Sequence, residues 1–327
     1  MRNLIYVGSL LALALPGWCG PVGPGCTGTP GPVSLFYAYN VGSAPEVLCG
    51  KDYPSATSLT PQASAGGTGI DGLVSYGTEK ASTQAIATDG NMTGSGLVLR
   101  LFDVFAMSGP AGILQLTIGT NYGILVSAAG GGKVEYTFDL ETTGPAPFVP
   151  GIPGLVQNSD GTLSNNVEAI GYCTAFHPLT HPIPSCYGSY TGADGALVDF
   201  TSSNSRAIVF SNTMTVRIPY AGNGYVRLGS ELDVNCSADS WVTQSTETCL
   251  VDAGHSFYIG GAKLFQLDGV TPMQGGSISA GSSYDYGLPI PGGGPGDPGQ
   301  APEPASAALL AVGLGCLYAW RRRAQRI

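Results

Sequence analysis

KVEYTFDLE, Lys133 to Glu141, alternates without a break. Val134, Tyr136, Phe138 and Leu140 fall on one side, and Lys133, Glu135, Thr137, Asp139 and Glu141 on the other. Successive side chains of an extended chain point to opposite faces, so this stretch is an antiparallel strand with one face buried and one in water. The same period recurs on both sides of it. GILVSAAGGGKVEYTFDL reads as two strands joined through a glycine-rich turn, and GLVLRLFDVFAM and GILQLTIGT as a pair separated by Ser108-Gly109-Pro110. NTMTVRIPYAGNGYVRLGSELDV carries Asn223-Gly224, a strong two-residue hairpin signal, with Met214, Val216 and Ile218 on one face. HSFYIGGAKLFQL adds two more short strands. About twelve short strands, with turn signals every 8–12 residues or so, predict an all-β fold: an antiparallel β-sandwich or jelly-roll-like body.

Composition points the same way. The 327 residues include 50 Gly and 24 Pro, and only 11% are charged. Strong helix formers are scarce and glycine costs about 1 kcal/mol at each interior helix position, whereas short strands and tight turns tolerate this mixture. Between Pro21 and Gln300 there are 8 basic and 21 acidic residues. A body this acidic excludes nucleic acid as an electrostatic partner.

Both ends differ from the body. Residues 1–19 hold one arginine, an apolar run from Leu4 to Leu15 and a Pro16-Gly17 break, the organisation of a secretory signal peptide. Residues 20–287 form the β-ectodomain, read as one domain; the proline-rich stretch near 143–165 is the place for a split into two sandwiches, if there are two. Residues 288–301 are a Pro/Gly linker. Residues 302–327 close the chain with an apolar run from Ala305 to Trp320 and then Arg321, Arg322 and Arg323. As a helix those 16 apolar residues reach roughly 24 Å, a short single transmembrane span with its arginines held on the cytoplasmic side.

Pro302-Glu303-Pro304, followed by a small-residue-rich hydrophobic helix and an arginine cluster, resembles the PEP-CTERM sorting signal. The resemblance covers the last 26 residues. It implies processing near Pro302–Pro304 by a membrane enzyme of the exosortase type, in bacteria that secrete exopolysaccharide, with the mature protein released or re-attached at the cell surface. VDFTSSNSRAIVFSNTMTVRIP and GGSISAGSSYDYG resemble the ectodomains found upstream of such tails.

Leaving aside Cys19 at the signal boundary and Cys316 in the apolar run, six cysteines remain. An even count in an exported chain predicts disulfides, and sequence proximity pairs Cys26 with Cys49, Cys173 with Cys186 and Cys236 with Cys249.

No motif for catalysis or metal binding emerges. His177 and His181 are each followed by proline, which prevents a helix from aligning them on a metal. Asp89 to Gly94 mimics the start of a calcium loop, but Arg100 stands where the bidentate glutamate belongs. Gly130–Lys133 reads as a hairpin turn because Ser127 and Val134 break the phosphate-loop pattern. Asp139 and Glu141 have the spacing of an inverting glycosidase pair and equally that of any solvated strand face. The expectation is a non-enzymatic, exported surface or matrix protein without cofactor or metal, adhesive or polysaccharide-associated. The alternatives are a secreted glycan-active enzyme on a jelly-roll scaffold and a calcium-dependent adhesion module.

Overall fold

The computed structural model describes residues 33–42, 48–52, 57–127, 130–175, 185–191, 197–203, 206–240 and 246–288. The signal peptide, Cys26, His177, His181, the spacer from 289 and the tail with Pro302, Glu303, Pro304 and Arg321–Arg323 lie outside the described residues, as do the side chains of Cys49 and His255.

Within them the chain is all-β: two antiparallel sheets packed face to face. The larger runs, edge to edge, β13 (Leu197–Ser203), β12 (Ser185–Thr191), β11 (Leu163–Ala175), β9 (Gly130–Thr142), β15 (Tyr225–Asp239), β7 (Met92–Ser108), β1 (Ser34–Val41) and β2 (Leu48–Asp52). Short β10 (Leu155–Gln157) adds to β11, and β17 (Ser277–Ala280) to β7. The smaller runs β14 (Ala207–Tyr220), β8 (Gly112–Val126), β16 (Thr246–Phe265), β6 (Thr78–Thr88), β5 (Thr68–Ser75) and β3 (Ser58–Leu59), with β4 (Gln62–Ala65) on β5. Strands before and after the 143–165 stretch pair with each other in both sheets, β9 with β15 and β8 with β14.

Lys133–Glu141 is the centre of β9, with Val134, Tyr136, Phe138 and Leu140 wholly buried. The partners predicted from sequence are corrected. β7 and β8, β8 and β9, and β14 and β15 are not hairpins: the members of each pair belong to opposite sheets. Asn223 does adopt the left-handed conformation of a tight turn (φ 54°), closed by Gly224 N–H donating to the Ala221 carbonyl. That turn carries the chain across the sandwich. Period-two alternation is identical in a hairpin and in such an arch, because both bury one face. Gly130–Lys133 opens β9 and is not a turn; a Cβ on Gly132 would come within 2.5 Å of Ile124. HSFYIGGAKLF, up to Phe265, belongs to one long strand, β16, whose register slips between Ala253 and Phe257 and again between Gly260 and Lys263.

The inward faces form one apolar core in which Phe105, Phe138, Phe257, Tyr122, Tyr136 and Tyr220 are fully buried. Each such ring stabilises the fold by roughly 1.5–3 kcal/mol through area removed from water. Tyr122 of β8 reaches across the layers to donate to the Ile170 carbonyl of β11 (3.0 Å), and its ring lies where a Cβ on Gly171 would be, 2.3 Å away. Cys173–Cys186 links neighbouring β11 and β12, and Cys236–Cys249 links β15 to β16 across the two sheets. Disulfides place the folded chain in an oxidising compartment.

The segment after β16 is stitched back onto both sheets. Buried Asp103 of β7 accepts from the Ser282 N–H (3.1 Å), the Ser282 hydroxyl and the Tyr286 hydroxyl (3.0 Å). Gly261 N–H and Ala262 N–H of β16 donate to the Leu288 and Tyr286 carbonyls, both at 2.8 Å.

One core position breaks the apolar pattern. Glu79 of β6 points between the sheets, and neither carboxyl oxygen has a hydrogen-bond partner; the same holds for Thr83 Oγ1, Tyr136 Oη and Ser230 Oγ. The Ser230 hydroxyl lies near both Glu79 and Tyr136 without forming a regular hydrogen bond. Burial, reinforced by the Glu231 charge, pushes the Glu79 carboxyl up to about 8, with Ser230 pulling the other way. The side chain is therefore mostly neutral at pH 7.

Two predictions follow from the core. A folded state that keeps this proton to about pH 8, against about 4.5 for an ordinary glutamate, is fully favoured below 4.5 and loses that contribution as pH rises through 8. The loss is on the order of a few kcal/mol. Wild-type Tm should fall between pH 5 and pH 9, and Glu79→Gln should flatten the curve and melt higher than wild type at pH 9; parallel curves would reject the assignment. Separately, the double variant Cys236→Ser/Cys249→Ser should lose about 3 kcal/mol in urea unfolding, the entropy of a short closed loop.

Candidate functional site

The two broad outer faces carry charge differently. On the larger sheet acidic side chains dominate, and two of its cations are paired: Arg100 Nε donates to Glu231 at 2.6 Å, and Lys133 bridges Glu135 and Asp233, while exposed Arg227 stands opposite Glu141 in register without an ion pair among the described residues. Asp233 is held above the usual carboxylate range by desolvation, which outweighs Lys133. Asp139 is raised too, by desolvation and then by Glu141.

The outer face of the smaller sheet is different. Alternation along β14 buries Met214, Val216 and Ile218 and turns Thr213, Thr215 and Arg217 outward. Strand register then sets Arg217 of β14, Gln115 of β8 and Lys263 of β16 in one row. The next rows carry Thr215 and Thr117, then Thr213 and Tyr258. Arg217 Nε donates to Gln115 Oε1 at 2.7 Å, and the guanidinium stands 5.8 Å from the Phe265 ring centre. Lys80 of β6 stands 5.6 Å from the Tyr258 ring centre. Among the described residues none of these three cations pairs with a carboxylate.

Along the β14 edge this face opens into a groove of about 560 Å³, whose wall includes Gln115, Thr215, Arg217, Asn166, Thr191 and the turn Gly151–Gly154. Its floor is fixed by Asn165, which is buried and uses one amide nitrogen twice, donating to the Pro153 carbonyl (3.0 Å) and the Arg217 carbonyl (2.7 Å). Asn165 thereby ties the loop after β9 to the edge of the opposite sheet. Gly154 turns with φ 72°, and a Cβ there would meet Asn165 Oδ1 at 2.6 Å. The lining supplies amides, hydroxyls, backbone groups and one guanidinium, and holds no carboxylate. A second, smaller cavity of about 310 Å³ lies under the C-terminal segment between Phe105, Leu264, Met273, Ile278, Tyr284 and Tyr286.

The residues singled out from sequence fall elsewhere. Asp139 and Glu141 lie on the open outer face of the larger sheet and line neither cavity. Asp89 (φ 54°) and Gly90 form the tight turn between β6 and β7. Among the described residues no group of three or more His, Cys, Asp or Glu is placed to hold a metal, and no helix is long and apolar enough to cross a membrane. Sequence reading alone does not distinguish Arg217, Lys263 and Lys80; the available signal is the scarcity of basic residues in the body and, for Arg217, its alternation with buried Val216 and Ile218. No protein-family model matches the chain, and no curated protein matches it either.

Asn165→Ala should leave the Pro153 and Arg217 carbonyls without their donor and cost about 1–3 kcal/mol. In addition, amide exchange at Gly154 and Leu155 should speed up relative to the β7–β15 core; unchanged protection there would show that Asn165 does not hold the groove wall.

Proposed function

We propose that the chain is an exported, non-enzymatic surface or matrix protein that associates with polysaccharide through the outer face of the smaller sheet and its groove. The observation that carries this reading is the lining itself. A sugar ring presents hydroxyls that both donate and accept, and an apolar face that stacks on aromatic rings. The groove offers Asn166, Gln115, Thr191 and Thr215, and the adjoining face offers Tyr258 and Phe265. The absence of a carboxylate from the lining favours binding over hydrolysis, because glycoside cleavage needs two acids flanking the scissile bond.

Export is supported by the two disulfides and by the signal-peptide-like start. The resemblance of the tail to PEP-CTERM signals supports sorting: Pro302-Glu303-Pro304 would be presented to an exosortase-type enzyme while Arg321–Arg323 hold the apolar run in the membrane. The Pro/Gly linker then separates the sandwich from the bilayer.

A glycan array incubated with the purified protein tests the reading. Retention of a subset of polysaccharides without release of reducing ends is expected; silence across the array, or turnover, would overturn it. In cells that process such tails, Pro302→Ala/Glu303→Ala should leave an uncut precursor in the membrane fraction, and normal release of that variant would remove the sorting argument.

A further inference from the structure

Resting on the glycan-binding reading, we propose that the ligand is an anionic polysaccharide, whose carboxylate groups are read by Arg217, Lys263 and Lys80. The body is strongly acidic, so cations facing water would ordinarily find acidic neighbours. On the larger sheet Arg100 and Lys133 are bonded to Glu231, Glu135 and Asp233, and Arg227 stands opposite Glu141 in register. On the smaller sheet Arg217 and Lys263 share one row of the outer face and Lys80 stands further along it beside Tyr258. Among the described residues none of the three is within ion-pair distance of a carboxylate, and the acids of that face, Asp252 of β16 and Asp71 of β5, lie beyond Lys80 and away from the Arg217–Lys263 row. Four strands of that sheet, β14, β8, β16 and β6, contribute to this arrangement.

Geometry suits a carboxylate. Arg217 is held by its Nε to Gln115 and lies against Phe265, so its two terminal nitrogens form a fork whose direction is already fixed. Such a fork matches the two oxygens of a carboxylate, and a pre-oriented guanidinium loses little freedom on binding. Lys263 lies two strands away in the same row, a backbone separation of about 10 Å. That separation is comparable to one disaccharide repeat of a uronic-acid polymer, so successive acidic sugars can meet successive cations. Tyr258, Phe265 and the threonines between them supply the stacking and hydroxyl contacts that a free inorganic anion would not use. The larger sheet, with its acidic outer face, repels the same polymer and leaves one face for it.

The test uses the full-length protein with two probes of the same backbone: oligogalacturonate and its methyl ester, which keeps the shape and removes the charge. The acid should bind, with affinity that falls steeply as salt rises, and the ester should bind at least tenfold more weakly. Arg217→Gln should weaken acid binding about tenfold or more, and Lys263→Gln and Lys80→Gln, which lie outside the groove wall, about threefold each, with little change in ester binding for the two lysine variants. Arg217→Lys, which keeps the charge and loses the fork, should recover only part of the affinity. Lys263 is exposed, so its variant reads the charge effect even where an Arg217 variant folds poorly. Equal binding of acid and ester, or acid binding indifferent to all three substitutions, overturns the anionic assignment while leaving glycan binding in place. Loss of both probes, together with silence on the glycan array, overturns the parent reading and this one with it.

Discussion

Every long strand in this protein has one apolar face, and nothing in its own sheet can cover it. The constraint that shapes the rest is therefore the burial of one sheet by the other. Among the described strands the chain meets it by crossing between layers after β2, β6, β7, β8, β13, β14, β15 and β16. Neighbours within a sheet are in consequence distant in sequence: β15 lies between β7 and β9, pairing Tyr225 with Ala106 and Val226 with Thr142. Little of the core is local, so loop-closure entropy must be met before most contacts form. The Cys236–Cys249 bridge fits that situation, since it ties a strand of each sheet across the core.

The periodicity of β9, β14 and β15 made the all-β fold and the buried set Val134, Tyr136, Phe138, Met214, Val216 and Ile218 legible from sequence. Pairing was not legible. Asn223-Gly224 specifies a tight turn, but a turn of that shape serves an arch as well as a hairpin, and only the complementary sheet decides between them. The same reasoning explains why the site was hidden. Arg217 and Lys80 are 137 positions apart, and nothing in TVRIP or TEKAS marks either as different from an ordinary solvated strand residue. Their significance comes from which strands lie between them and from the row that register builds, in which Arg217, Gln115 and Lys263 stand side by side with no acid.

Glu79 and Lys80 show how far one position matters. Adjacent in sequence, they look like a surface ion pair. Strand alternation sends Lys80 out to Tyr258 and Glu79 into the core beside Tyr136 and Phe257, where its oxygens find no donor. A buried carboxyl without a partner costs stability in either form but far more when charged, and burial holds this one in its neutral form at pH 7. The two sides of a single strand thus follow different logic: the acid is isolated from water, and the base lies over an aromatic ring without an ion pair among the described residues.

The stitching of the last described segment also has a mechanical meaning. If the polypeptide is held from its C-terminal end, tension entering at Leu288 meets the carbonyls bonded to Gly261 and Ala262, then the Asp103 cluster, then the β17–β7 ladder. These attachments fasten the tether to both layers at once, so a pull does not peel a single edge strand from its sheet. The sandwich is gripped near its middle strands β7 and β16, and drag on a captured polymer would be shared between the layers before any one strand gave way.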